Sequence, residues 1–380
     1  MKSQELLDKI NRHIIGEEEI KRVNDVLKSG FLARPDGGPQ VRELQNLVSK
    51  WLGQKYVFGV TSGTAALHSA IVGLGLKKGD EVIVPALANI ADCSVVIQED
   101  ATPVFADIDP QDFNLDPDDV YRKITKNTKA IIVVHMFGQP AKLDRLIEIA
   151  NEKGIIVIED CAQAAGAKYK GKPVGSYGSI SCFSLYQTKH IISGEGGIVA
   201  TQSPELAKII TSITNNGVWK DDLDAYDYDR LGYNYQLSEV QGALAIEQLK
   251  KLDQNNDARR KNVELFKQHL SDVDVTFQKE NDDTKNVYFY LTGLLPQGTT
   301  DDKRNHFMQL VKEGDTPIKK LYPLSLPEVK LLKNDYPQDC PIAAEVSKRL
   351  FNLYVNPGLD PDDIEFMAGA IKKAFKEIYK

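Results

Sequence analysis

Residues 129–160 read KAIIVVHMFGQPAKLDRLIEIANEKGIIVIED. Two short runs, AIIVVH and GIIVIED, are nearly all apolar, as strands covered on both faces are. Between them Leu143–Lys153 carries a helical pattern. Strand, helix and strand in that order form a βαβ unit, with parallel strands and a right-handed crossover. The same alternation extends outward in both directions. Candidate strands are Tyr56–Val60, Glu81–Pro85, Pro103–Asp107, Lys129–His135, Gly154–Asp160, Ser179–Ser184 and Gly197–Thr201. Helical patterns fall at Thr64–Leu74, Pro117–Thr125, Leu143–Lys153 and Pro204–Thr214. The expected fold class is α/β, a mostly parallel seven-stranded sheet between helices.

After about residue 235 the pattern changes. Leu237–Leu252 and Asn256–Leu270 read as long amphipathic helices. A polar stretch follows, with a short aromatic strand expected at NVYFYL, residues 286–291. Helical patterns return at Asp302–Glu313, Pro341–Leu350 and Pro361–Tyr379, the last with Pro at its first position. A large domain over residues 1–250, with an N-terminal helical segment, and a smaller α+β domain over 251–380 are expected. Ala33–Pro39, ARPDGGP, is the most loop-like segment near the N-terminus.

Composition narrows the function. The net charge of −7, with no Lys/Arg block, argues against nucleic acid as main partner. No apolar run approaches the roughly 18 residues of a membrane span. The N-terminus, MKSQELLDKINRHIIGEEE, is polar where a signal peptide is apolar. A cytoplasmic protein is expected. Cys93, Cys161, Cys182 and Cys340 are widely spaced, which fits buried free thiols better than disulfides or zinc. The histidines, at 13, 68, 135, 190, 269 and 306, show no metal-ligand spacing, so no metal is expected.

Ligands of open parallel sheets bind at the carboxyl ends of the strands. After Val60 comes Thr61-Ser62-Gly63-Thr64-Ala65, a small-residue turn opening a helix. Its amides suit a phosphate, although Ser62 or Thr64 serves equally as an ordinary N-cap. After Ile158 comes Glu159-Asp160, and an acid at a buried strand end needs a partner; a cationic ring nitrogen is one. After Phe183 comes Ser184, then Lys189, then SGEGG. A lysine there can have its amine made nucleophilic by burial. Phosphate turn, strand-end acid and lysine, in that order, give this lysine more than a surface role. Gly73-Leu74-Gly75 with Gly79, and GEGG at 194–197, lack dinucleotide or P-loop context and read as turns.

The chain resembles the DegT/DnrJ/StrS family of pyridoxal-phosphate (PLP) dependent, fold-type I sugar aminotransferases. The resemblance begins at Ser29-Gly30-Phe31-Leu32 and GGPQVREL. It runs on through SGTAALHSA, DEVIVPA, PVFADIDP, VVHMFGQPA, VIEDCAQAAGA and FSLYQTKHIISGEGGIV. It ends with LGYNYQLSEVQGALAIEQLKKLD and a YP…NPGLDPDDI pattern. The pairing of EDCAQA with TKHIISGEGG is its most specific part.

The resemblance implies that Lys189 forms the internal aldimine with PLP and that Asp160 pairs with the pyridinium nitrogen. Gln163 then lies beside the phenolic oxygen, while Gly63, Thr64 and Ser184 hold the phosphate. Asn234, in GYNY, is implied to reach the phosphate of a neighbouring subunit, which makes the enzyme a homodimer with shared sites. Asn89 stands where an aromatic commonly stacks on the ring, so it is expected at the cofactor. Gln236 stands where an arginine is frequent, and Ser325 near a usual histidine. With His190, Glu195 and Tyr322, Gln236 is expected on the substrate side.

The implied activity moves an amino group from glutamate or glutamine, through pyridoxamine phosphate, to a keto group of a nucleotide-linked sugar or cyclitol. Such chemistry serves the making of amino sugars for surface polysaccharides or secondary metabolites. One rival is a pyridoxamine-phosphate-dependent ketosugar dehydratase of the same fold, in which a histidine replaces the lysine; here Lys189 precedes His190. The other is a non-catalytic regulatory protein, which has no need of Lys189 or Asp160.

Overall fold

Seven strands form the central sheet of the computed structural model: β1 (Tyr56–Val60), β2 (Glu81–Pro85), β3 (Thr102–Ala106), β4 (Thr128–Val134), β5 (Ile156–Asp160), β6 (Ile180–Ser184) and β7 (Gly197–Thr201). Residues 2–11, 15–34, 37–220, 226–228 and 230–379 are described. His13, and Pro35 and Asp36 of the expected loop, lie outside them. The strand order is β1-β7-β6-β5-β4-β2-β3, and only β7 runs against the rest. The reversal follows from the GEGG turn, which brings β7 back along β6. At Gly197 an added Cβ would lie 2.3 Å from Ser62 O, so glycine lets β7 start against the turn after β1.

Thirteen α-helices surround the sheets among the described residues. They are α1 (Lys2–Asn11), α2 (Glu17–Ser29), α3 (Pro39–Leu52), α4 (Gly63–Gly73), α5 (Ile90–Gln98), α6 (Pro117–Lys123), α7 (Leu143–Lys153), α8 (Pro204–Thr214), α9 (Glu239–Lys250), α10 (Leu252–His269), α11 (Asp301–Glu313), α12 (Pro341–Arg349) and α13 (Pro361–Ile378). The continuous apolar run of β4 resolves into two faces. Ile131 and Val133 pack with Leu143, Leu146 and Ile149 of α7, while Ala130, Ile132 and Val134 share a core with α4 and α5. Both faces are dry, which is why no polar alternation marks this strand in the sequence.

Four short strands, β8 (Thr276–Phe277), β9 (Leu291–Leu294), β10 (Ile318–Lys319) and β11 (Leu350–Leu353), form an antiparallel sheet in the order β8-β9-β11-β10. Its core takes Val263 and Phe266 from α10, Phe307 from α11, and Ile364 and Met367 from α13. Leu6 and Ile10 of α1 join this core, and Lys9 Nζ bonds Asp360 at 2.8 Å and Asp363 at 2.7 Å. Asp107, after β3, accepts the Ile342 and Ala343 N–H groups at 2.9 and 2.8 Å and so caps α12 across the sequence.

One expected strand is displaced. Most of NVYFYL is not strand; β9 begins only at Leu291. Tyr288 has φ +48°, and Val287 and Phe289 donate N–H groups to Gly138 and Phe137 carbonyls at 3.2 and 2.8 Å. The segment is therefore tied to the loop after β4 and cannot join a ladder. No described helix is long and apolar enough to cross a membrane.

Candidate active site

The carboxyl ends of β1, β5 and β6 converge on a cavity of about 240 Å³. Its wall includes Ser62, Gly63 and Thr64 from the start of α4, Asp160 and Gln163 after β5, Ser184 and Lys189 after β6, and Asn89 and Glu195. Thus Gly63, Thr64, Asn89, Asp160, Gln163, Ser184, Lys189 and Glu195, predicted separately, share one wall.

The α4 N-terminus is built for an anion. Ser62 caps it, its Oγ accepting the Ala65 N–H at 3.0 Å. The remaining first-turn amides have no intrahelical partner, and the helix dipole favours negative charge there. An added Cβ on Gly63 would lie 2.8 Å from Ser184 Cβ, so glycine brings the turn and the Ser184 hydroxyl together.

Two adjacent acids end β5 and do different work. Glu159 is fully buried and accepts N–H groups from Gly175, Tyr177 and Gly178 at 2.7, 2.8 and 2.6 Å. His135 Nδ1 accepts the Ala141 N–H at 3.1 Å, which leaves Nε2–H to donate to Glu159, also at 3.1 Å. Burial opposes the charge on Glu159, but His135 and these amides outweigh it and hold the carboxyl below its usual value. Glu159, His135 and Cys161 stand close enough to suggest metal ligands. Glu159, however, is fully engaged in holding the 175–178 loop, and burial keeps the Cys161 thiol protonated by pushing its pKa well up. Asp160, one residue on, points to the other face and into the cavity. Its Oδ1 accepts the Ala162 N–H at 2.8 Å. Burial raises its pKa, with Ala162 and Lys189 pulling the other way.

The Lys189 side chain keeps partial exposure, but its amine is sunk in the site. Burial lowers the amine pKa from 10.5 to about 8 against the pull of Asp160 and Asp92. The Nζ lies 4.5 Å from the centroid of Phe289. Gln163 is braced at both ends, accepting the Phe137 N–H at 3.1 Å and donating to Tyr322 Oη at 2.7 Å.

Three expected substrate residues are placed elsewhere. His190 is buried behind Lys189, its Nε2 donating to the Val287 carbonyl at 3.2 Å. Tyr322 is buried beneath Gln163 and off the cavity wall. Gln236 bonds Asn215 and faces a second cavity, with Arg34 and Phe58. Asn234 is exposed and off the wall of its own chain's cavity. Asn89 caps α5, its Oδ1 accepting the Ala91 N–H at 2.9 Å, and still borders the cavity. Tyr186, on the cavity wall, and Asp92, fully buried within electrostatic reach of Asp160 and Lys189, were not anticipated. Tyr186 lay within the quoted FSLYQTKH segment. Asp92 is the lone charged residue in the mostly apolar IADCSVV run.

An anion-binding helix start, a buried carboxyl and an amine of lowered basicity around one cavity suit a group with a phosphate, a basic ring nitrogen and a carbonyl. That set defines a PLP enzyme. The chain belongs to the DegT/DnrJ/EryC1/StrS aminotransferase family, whose profile matches residues 13–372. It is a PLP-dependent aminotransferase. It is 32% identical to the GDP-perosamine synthase of Vibrio cholerae over 94% of this chain and 96% of that one. It is 41% identical to the L-glutamine:2-deoxy-scyllo-inosose aminotransferase of Streptomyces kanamyceticus over 62% of this chain and 57% of that one. The structure of S. venezuelae DesV, solved with a ketimine intermediate, superposes with a TM-score of 0.86 at 28% identity, covering 96% of this chain and 95% of that one.

Proposed function

We propose that the enzyme passes an amino group from glutamate or glutamine to a keto group on a nucleotide-linked sugar or a cyclitol, in the making of amino sugars. The observation that carries this is the Lys189 amine, lowered to about 8, facing the Asp160 carboxyl in a cavity closed by the start of α4. PLP, when bound, supplies an aldehyde carbon and an electron-accepting ring. The amides of Gly63 and Thr64 and the Ser184 hydroxyl would hold its phosphate. Asp160 would keep a proton at the ring nitrogen. Gln163, fixed by Phe137 and Tyr322, would lie beside the phenolic oxygen of the ring. The Lys189 amine would carry the proton between the reacting carbons, as a positioned general base and acid. Glu195, exposed at the rim, meets the acceptor.

The acceptor class is drawn from the relatives: a perosamine synthase matches 94% of the chain, and a scyllo-inosose aminotransferase matches more than half of it at higher identity. The working form is a homodimer in which Asn234 reaches the partner's phosphate. Exposed Leu231 at 91%, Phe31 at 64% and Leu32 at 47% supply apolar surface for such an interface. The chain divides near residue 250, except that α1 joins the C-terminal unit through Leu6 and Ile10, and it works in the cytoplasm, where four free buried thiols persist. The test is to incubate the pyridoxamine-phosphate form with nucleotide ketosugars and inososes and identify aminated products by mass. Turnover of none of them, with amino-acid donors still consumed, would overturn the acceptor class.

A further inference from the structure

Asp92 is fully buried on α5, and neither of its carboxyl oxygens meets a donor with hydrogen-bond geometry. An ionised carboxylate left that way is among the costliest groups a protein can bury. Its strongest neighbour is another acid, Asp160. Lys189 after β6, Tyr322 from the C-terminal region and Cys182 on β6 also lie within its electrostatic reach; Asn89 and Cys93 flank it in sequence on α5. Lys189 is the one cation in this set. Two ionised carboxylates side by side repel, whereas one proton between them makes a charge-assisted O–H···O⁻ bond.

We propose that Asp92 is a positioning residue for the cofactor's ring nitrogen, holding a proton that it shares with Asp160, so that the two acids present a single negative charge to that nitrogen. The proposal rests on the reading that Asp160 faces the ring nitrogen. Asp160 Oδ1 already takes the Ala162 N–H. The Asp92 O–H fixes the rest of the carboxylate, so one oriented lone pair is left for the ring. One negative charge then matches one pyridinium. A second would over-stabilise it and also hold Lys189 as an ammonium, unable to accept a proton.

The direction of the pH effect is set by burial, which pushes the Asp92 carboxyl well above its usual value. A raised folded-state pKa gives stability that is full below the unfolded value of about 4 and is lost as pH rises beyond it. Asp92→Asn, which mimics the protonated acid, escapes that loss. In the apoenzyme, the melting-temperature advantage of Asp92→Asn over wild type is expected to grow from about pH 4.5 to 7. Infrared spectra of the wild-type apoenzyme at pH 7 should hold a protonated-carboxyl band that Asp92→Asn lacks.

In the loaded enzyme, Asp92→Leu removes the donor and makes Asp160 more basic. The pH midpoint of the visible absorption should then move up by about one unit. Asp92→Ser, which restores an O–H, should bring it back. A missing infrared band, or an Asp92→Asn penalty equal at every pH, overturns the shared proton. If Asp160→Asn leaves the absorption midpoint unmoved, the ring-nitrogen reading fails instead. The infrared band alone then reports on Asp92, and the positioning role is overturned with that reading.

Discussion

The Gln163 side-chain amide donates to Tyr322 Oη at 2.7 Å, joining residues 159 positions apart. Tyr322 also packs on Phe137 at 5.7 Å between ring centroids, and Phe137 donates its N–H to Gln163 Oε1. The C-terminal part of the chain thereby fixes a cavity-wall residue that follows β5 of the central sheet. Replacing Tyr322 with Phe removes that bond and leaves a buried amide N–H without its partner. A stability loss of about 1–3 kcal/mol is expected, the cost of an unsatisfied buried group. The visible absorption of the loaded enzyme should shift as well, because Gln163 regains rotational freedom. Thermal unfolding and an absorption spectrum of Tyr322→Phe check both, and an unmoved spectrum would make Tyr322 purely structural.

Lys189→Ala should reduce transamination by at least a thousandfold, since loss of a general acid–base group alone costs roughly 10²–10⁴-fold. Borohydride should no longer fix cofactor to the protein. The amine also has a stability signature. Its folded pKa of about 8 lies below the unfolded 10.5, so the folded state holds fewer protons between these values. Stability from this group therefore rises with pH across that window and is at its worst below it. Apo Lys189→Met should melt above wild type at pH 7 and lose that advantage toward pH 10.5.

Much of this was legible because both sheet faces are dry. Apolar runs bounded by turns marked β1, β2 and β7 at their observed limits, and the motifs marked the residues that follow them. What was not legible depends on contacts distant in sequence. NVYFYL has strand composition, yet its backbone is claimed by the loop at Phe137–Gly138. Asp92 sits in the first turn of α5, where an acid is ordinary because it faces the helix dipole. Only the fold reveals that it is fully buried and that its strongest electrostatic neighbour is Asp160. His190 and Tyr322 lie beside site residues, one in sequence and one in space, and both turn inward.

Asp160→Asn should keep the fold, because the amide Oδ1 can still accept the Ala162 N–H and the shape is nearly unchanged. Turnover should fall by two orders of magnitude or more, since a neutral amide cannot hold a proton on the ring nitrogen. Steady-state kinetics beside a melting curve separates the two effects. Near-normal turnover would leave Asp160 as an acid that merely caps the turn at Ala162.

Asn89 has a cap to lose. Asn89→Ala removes the Oδ1 acceptor for Ala91 N–H and should cost about 1 kcal/mol of stability. Because Asn89 also borders the cavity, Asn89→Phe asks whether the open face accepts an aromatic. A change of absorption or of acceptor KM in both variants assigns Asn89 a contact as well as a cap. Stability loss in the Ala variant with unmoved spectra in both assigns it the cap alone.

The shared site can be tested by mixing. Asn234 is exposed, lies off its own cavity, and pairs through its backbone with Asn215 at the end of α8. A residue so placed contributes to a cofactor only by crossing to another subunit. Lys189→Ala and Asn234→Ala homodimers should each be weak, the first from lost proton transfer and the second from poorer phosphate retention. In a mixed dimer, one site draws both Lys189 and Asn234 from the intact copies, while the other site lacks both. Unfolding and refolding an equal mixture should yield about half mixed dimers by random pairing, each with one intact site, so about a quarter of wild-type activity should return. Activity that stays at the mean of the two parents would mean that Asn234 serves its own chain.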